Sequence, residues 1–337
     1  MFYKIKIQFD SEKMHMADAL VSPAVAGAAA AVSVTLLAIS ARKVKRAESE
    51  NLIPLMGVMG AFVFAAQMIN FTIPGTGSSG HIVGGILLGA LLGPWAAFLT
   101  LASVLVVQCL IFADGGLMAL GCNLLNMGVC STLIAYPFVY RPIAGDSTHS
   151  WRIIAGAIAA SVVGLELGAL LVTAETELSG VTALPTGKFL ALMSSIHLFI
   201  GIGEGIATAA VLYFVKQYQP SLLAGYRSAT GGKTGGYKKA ALIFLGIAAV
   251  FGIAFTWIAS SHPDGLEWSI ENIAGDNGLP EAAGTIADKI AGVQQSTSFL
   301  PDYSSTWSGI IGCTIVVALV WIVCTIFTRK ARRVKSN

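Results

Sequence analysis

Two histidines pose the first chemical question. His15 sits in "SEKMHMADALVSP" (11–23), directly after Met14 and a few residues ahead of a long apolar run. His81 follows the turn-rich stretch "NFTIPGTGSSG" (70–80) and precedes another apolar run. Neutral imidazole is the commonest metal ligand. It suits Ni, Co, Cu and Zn, and the geometry around it chooses among them. If Met14 is the first residue of the mature chain, its amine, the deprotonated amide nitrogen of His15 and the His15 ring form two fused chelate rings. His81 then completes four nitrogens in a plane, which favours Ni(II) or Cu(II). The thirteen residues ahead of Met14 (MFYKIKIQFDSEK) would bury that amine in a peptide bond. They are polar and lack the apolar core of a signal peptide, so a start at Met14 is the expectation. With the leader retained, the site rests on fewer ligands. For His81 alone, the competing reading is a loop histidine that caps a helix.

Polar groups inside apolar runs come next, because ionisable side chains within a membrane are costly and usually functional. His197 and Glu204 lie in "IHLFIGIGEGIATAA", seven apart and so on one helical face. Asn123 and Asn126 in "GCNLLNMGV" share a face, as do Gln67 and Asn70, while Glu166 stands alone in "VVGLELGALLV". For each pair, a path through the protein competes with hydrogen bonding between helices. No H-E-x-x-H zinc motif occurs, and "GGKTGG" (231–236) lacks the first glycine of a phosphate-binding loop. Any ATPase must therefore be another chain. The five cysteines lie in apolar segments without C-x-x-C spacing, as packing residues do. Nothing points to nucleic acid or to a prosthetic group.

The elements that must position these residues are membrane helices. Hydrophobic residues make up 55% of the 337 and charged residues only 12%, about half the usual 25%. Mean hydropathy is +0.74. A helix needs about 20 apolar residues to cross a hydrocarbon core. On that measure the chain predicts nine spans, at 20–40, 54–72, 81–92, 94–112, 116–139, 152–174, 189–215, 239–259 and 308–327. Gly93-Pro94 separates the short third span from the fourth. Sixteen of the 21 basic residues then fall in loops on one side, which the positive-inside rule places in the cytoplasm. The N-terminus is outside, the C-terminus inside, and both histidines open on the outer face. The loop 260–307, with seven acids and one base, also lies outside. It reads as a solvated connector, and its charge would also attract cations. The stretch "RSATGGKTGGYKK" (227–239) reads as a flexible linker.

Long motifs then carry a resemblance. "MHMADALVSPAV" (14–25), "NFTIPGTGSSGHIVGG" (70–85), "LGPWAAFLTLASVLVVQCLIFADGGLMALGCNLLNMG" (92–128) and "IHLFIGIGEG" (196–205) resemble the CbiM/NikM family. These are cobalt/nickel substrate-binding membrane subunits of energy-coupling factor (ECF) ABC transporters. "SHPDGLEWSIEN" (261–272) is similar to the PDGLE segment of a CbiN/NikN-like partner, here fused to the body. The resemblance implies an all-α polytopic protein: a leader (1–13), a seven-helix metal-binding body (14–219), a linker (220–238) and a two-helix tail (239–337). It implies metal ligands at Met14, His15 and His81. Asn70, Asn123, Asn126, His197 and Glu204 are candidates for supporting or pathway roles. It also implies Ni(II) or Co(II) as transported substrate, a transmembrane coupling subunit (CbiQ/NikQ-like), ABC ATPases (CbiO/NikO-like) and the cytoplasmic membrane of a prokaryote. Two alternatives remain at this point: an intramembrane enzyme using His197 and Glu204, and an accessory or scaffold subunit with a degenerate metal site.

Overall fold

A computed structural model describes residues 15–46, 52–146, 149–230, 237–275, 284–305 and 307–334. The predicted leader, Met14 and the glycine-rich 231–236 lie outside the described residues. The protein is mostly helical. The long helices are α1 (Pro23–Arg46), α2 (Leu52–Gln67), α4 (Pro94–Phe112), α5 (Leu120–Ala144), α6 (Ser150–Ser179), α7 (Thr186–Tyr218), α9 (Tyr237–Ile258) and α12 (Ser308–Val334). Short α3 (Gly85–Leu92), α8 (Ala224–Thr230), α10 (Gly265–Ala274) and α11 (Thr285–Thr297) fill the gaps. Strands β1 (Phe71–Ile73) and β2 (Ser78–Gly80) form an antiparallel hairpin with Thr72 opposite Ser79. Among the described residues, five helices are long and apolar enough to cross a membrane: α1, α4, α5, α6 and α7.

Glycine lets these helices close on one another. A Cβ on Gly201 would lie 2.8 Å from the Val162 backbone, and one on Gly205 would lie 2.5 Å from that of Ile158. Spaced four apart, they seat α7 against α6 as small residues do in membrane bundles. Gly57 and Gly60 on α2 receive Val316, Val317 and Val320 of α12, and Phe62 meets Phe244 of α9 edge-on at 5.1 Å. The tail helices thus pack directly on the body.

The expected third span is half a helix. Gly93 at φ +83° and Pro94 at the first position of α4 make the expected break. Yet α3 has only 8 residues, about 12 Å at 1.5 Å per residue. Before it, residues 81–84 are non-helical. Irregular backbone at membrane depth persists only where protein serves its polar groups, and here it does: Glu204 and Gln67 bond Val83 and Gly84. The α2 helix likewise stops at Gln67, so Asn70 lies in the turn to β1, off the helical face expected for it. The expected linker is folded at its start. Arg227 of α8 donates to the carbonyls of Leu91, 2.9 Å away, and Ser221, 3.2 Å away.

The described residues of 260–307 form a folded cover rather than the solvated connector expected. Asp264 caps α10 by accepting from Glu267 N at 2.8 Å. Ser79 binds the carbonyls of His262 and Pro263 at 2.7 and 2.8 Å, and Trp268 Nε1 donates to Thr76 O at 2.9 Å.

Candidate functional site

The chain ahead of α1 runs into one end of the bundle, with His15, Met16, Leu20 and Val21 buried. Asn123 grips Met16 from both sides, accepting from its N–H at 3.0 Å and donating to its carbonyl at 3.1 Å. Gly116 N donates to the same carbonyl at 3.0 Å, and Ala119 N donates to Asp18 Oδ1 at 2.9 Å. Asn126 donates to Glu175 Oε2 at 2.8 Å. The asparagine pair therefore shares a face, as expected. Asn123 on that face holds the N-terminal segment. Gly115 and Gly116 let the segment lie flat. A Cβ on Gly115, at φ +78°, would stand 2.6 Å from His15 Cβ, and one on Gly116 would overlap Asp18.

His81 arrives on the non-helical loop. Glu204, 1% exposed, accepts from Val83 N at 3.0 Å and Gly84 N at 3.1 Å, and Gln67 Nε2 donates to Val83 O at 2.8 Å. Glu204 is thus the support of the His81 loop. One turn-pair away on α7, His197 donates Nδ1–H to Met193 O at 2.8 Å, which leaves Nε2 as its acceptor.

The His15 and His81 rings face each other with centroids 5.7 Å apart and planes inclined by 53°. His15 Nε2 and His81 Nδ1 are buried with no hydrogen-bond partner among the described residues. Two imidazoles sharing one ion through metal–nitrogen bonds of about 2.0–2.1 Å have centroids roughly 4.5–6.5 Å apart, so this spacing fits. Both rings line a cavity of about 80 Å³ together with Asn123, Asn126, His197 and Glu204. Met14 lies outside the described residues, and Asn70 is not among the lining side chains. No group of three or more His, Cys, Asp or Glu side chains among the described residues is placed to hold a metal ion. Any further donors must come from elsewhere.

Acidic residues that the sequence reading passed over complete the surroundings. Asp114 Oδ1 lies 2.8 Å from His15 Nδ1. Burial opposes the charge of Asp114, but His15 and the Tyr303 hydroxyl hold its carboxyl below the usual range. Asp264, on the cover, lines the cavity, and burial pushes its carboxyl up to about 6. Gly265 beside it brings the backbone close: a Cβ there would lie 3.1 Å from His197 Cε1 and 2.8 Å from Ile200 Cδ1. Gln294 of α11 donates to Gly115 O at 2.8 Å and Cys109 O at 3.0 Å. The signal for Asp114 was visible, since "FADGG" puts an acid and two glycines at the end of an apolar run. That for Asp264 was its place in "PDGLE".

Comparison with known proteins follows the same division of the chain. Residues 15–222 match the CbiM family, described as a cobalt uptake substrate-specific transmembrane region, and residues 238–329 match the PDGLE domain. A fused nickel transport protein NikMN homologue from Archaeoglobus fulgidus is 34% identical, covering 91% of this chain and 96% of its own. The fused nickel transport protein NikMN of Rhodobacter capsulatus is 29% identical, with 80% of each chain covered. A crystal structure of a transition metal transporter superposes with a TM-score of 0.53 at 29% identity, covering 60% of this chain and 93% of the other.

Proposed function

The chain belongs to the CbiM family and carries a PDGLE domain behind the CbiM region; on that premise we propose that it is the substrate-binding membrane subunit of a Ni(II) or Co(II) uptake system. The observation that carries this reading is the pair of rings 5.7 Å apart at one cavity, each with a buried nitrogen that has no hydrogen-bond partner among the described residues. Relatives named for nickel transport support it. The ion is the cargo, and no prosthetic group takes part.

In this reading His15 and His81 are the imidazole ligands and Met14 adds main-chain donors. Asn123, Asn126, His197, Glu204 and, more remotely, Asn70 shape the surroundings. The chain comprises a seven-helix body (14–219) and a two-helix tail (239–337), with the N-terminus outside and the basic loops in the cytoplasm of a prokaryote. Separate ABC ATPases, acting through a transmembrane coupling subunit of ECF type, supply the energy. The rival is an accessory subunit with a degenerate site. The lack of a three-side-chain cluster among the described residues favours it.

The test is titration of the purified full chain with NiCl2 and CoCl2, beside a variant carrying His15→Ala and His81→Ala. The expected result is saturable binding by the parent and its loss in the variant. Equal binding by the two overturns the assignment of the histidines, and a parent with no saturable site promotes the accessory reading.

A further inference from the structure

The cavity beside the imidazole pair continues into the bundle. Along α6 its lining runs from Val172 to Ser161, roughly 16 Å at 1.5 Å per residue. Val172 packs in the same apolar cluster as Met16 and Met193, at the His15 end. Ser161 lies at the far end with Glu204 and Ser131. Glycine contacts set that level. Gly201 and Gly205 of α7 abut Val162 and Ile158 of α6, which brings Glu204 beside Ser161, and a Cβ on Gly85 would overlap the Ser131 side chain.

Polar atoms at this end lack partners. Ser161 is 2% exposed, and its Oγ has no hydrogen-bond partner among the described residues. Asn126 is 5% exposed; its Nδ2 donates to Glu175, and its Oδ1 likewise has no partner among them. Ser131 donates to Met127 O and Gly128 O, so its oxygen retains lone pairs for a further contact. All three side chains line the cavity. From Leu124 to Tyr140, α5 winds as a π-helix, a form frequent at functional sites. Its i→i+5 bonding brings residues five apart, such as Asn126 and Ser131, toward one face. Buried polar groups are ordinarily paired, and between membrane helices they either bond a neighbour or mark an ion path. Asn126 Oδ1 and Ser161 Oγ bond no neighbouring helix among the described residues. Glu204 lines the same end, but its two oxygens serve Val83 N and Gly84 N. The donors left over are neutral oxygens.

We propose that Asn126 Oδ1, Ser131 Oγ and Ser161 Oγ form a second station for a divalent cation, deeper in the cavity than His15 and His81. Amide and water oxygens suit hard divalent ions, which keep several of their waters when bound. The cavity of about 80 Å³ has room for such waters, each needing about 10–15 Å³. Neutral oxygens hold the ion loosely, and that suits a resting place on a route. Passage requires binding strong enough for entry and weak enough for exit. An ion moving from the imidazoles to this station goes from nitrogen donors to weaker oxygen donors.

The station rests on the uptake reading only for the identity of the ion as cargo. Its test uses Mn(II), which prefers oxygen and which nitrogen donors retain least among the first-row divalent ions. The free-ion EPR signal is followed as Mn(II) is titrated into the purified full chain, and Ni(II) binding is measured in parallel by calorimetry. Ser161→Ala breaks no hydrogen bond among the described residues, so its fold is that of the parent. The parent should show a saturable Mn(II) site. Ser161→Ala should hold Mn(II) about 10-fold more weakly, the lower end for losing a contact to a charged group, with Ni(II) affinity unchanged. The variant with His15→Ala and His81→Ala should keep the Mn(II) site. Mn(II) binding that is absent in the parent, or equal in parent and Ser161→Ala, overturns the station and leaves the cavity end to water. Equal losses of Mn(II) and Ni(II) in Ser161→Ala, or loss of Mn(II) with the histidines, reduces the two sites to one and overturns it as well. A parent that binds Mn(II) through Ser161 but no Ni(II) overturns the uptake reading and upholds the station.

Discussion

Two glycines with the same backbone and different neighbours offer a controlled perturbation of the site. Gly75, in the turn of the β1–β2 hairpin, and Gly115, under His15, both have φ +78°. Alanine at either costs about 1–2 kcal/mol for a left-handed L-residue. At Gly75 nothing lies within 4 Å of the added carbon, so the cost ends there. At Gly115 the new Cβ stands 2.6 Å from His15 Cβ, where an ordinary contact begins at 3.4 Å. His15 must retreat by at least ~0.8 Å, and overpacking of this kind adds about 1–3 kcal/mol. Displacing an orienting contact of a metal ligand weakens binding about 10–100-fold. Isothermal titration of Ni(II) into the purified full-length Gly115→Ala and Gly75→Ala proteins gives the comparison. Gly75→Ala should bind as the parent does, and Gly115→Ala should fall within that range. Equal affinity of the two variants refutes the claim that Gly115 seats the ligand.

Two further outcomes follow from the carboxylates. Glu204→Gln keeps the volume but presents an amide N–H₂ to one of the two main-chain donors it now serves. About 1–3 kcal/mol of loop stability should be lost, seen as faster hydrogen exchange at Val83 and Gly84; unchanged protection would return Glu204 to a pathway role. Asp264 is raised by burial to about 6, above an ordinary value of about 3.9, so the folded chain binds this proton more tightly than the unfolded one. Its contribution to stability is full below pH ~4 and is lost as pH rises to about 6. Asp264→Asn retains a good cap and should flatten the fall in metal-free melting temperature across that window; parallel curves would show that another group sets it.

Much of the frame was written in local pattern. Apolar runs located the helices, Gly93-Pro94 located the break, and the two histidines drew attention as residues at the ends of apolar runs. The Asn123–Asn126 spacing signalled a shared face, although not that Asn123 grips the Met16 backbone. What stayed hidden depends on distant partners. The α3 helix starts late because Glu204, 120 residues away, satisfies the Gly84 amide that a helix would otherwise have used. Asn70 leaves its helix because the chain turns there into a hairpin, and Ser260 of the tail binds its carbonyl at 2.8 Å. The loop 260–307 looked solvated by composition, since its acids are charged and its helices short. Its purpose shows only in the bonds it makes to residues 76–79 and 109–117.

The cover being part of the same chain changes the arithmetic of its grip. Its polar bonds to the hairpin and to the Asp114 loop are few, and Leu266, Ile270 and Ala287 add apolar packing against Met16, Leu20 and Phe189. Within one chain the partner is always present at an effective concentration set by the tether, in the millimolar range for short connections, while α9 and α12 stay packed on α2. Lifting the cover is then a local opening with a first-order return, the same at any level of expression. A bipartite version of this architecture would have to find its cover by collision each time.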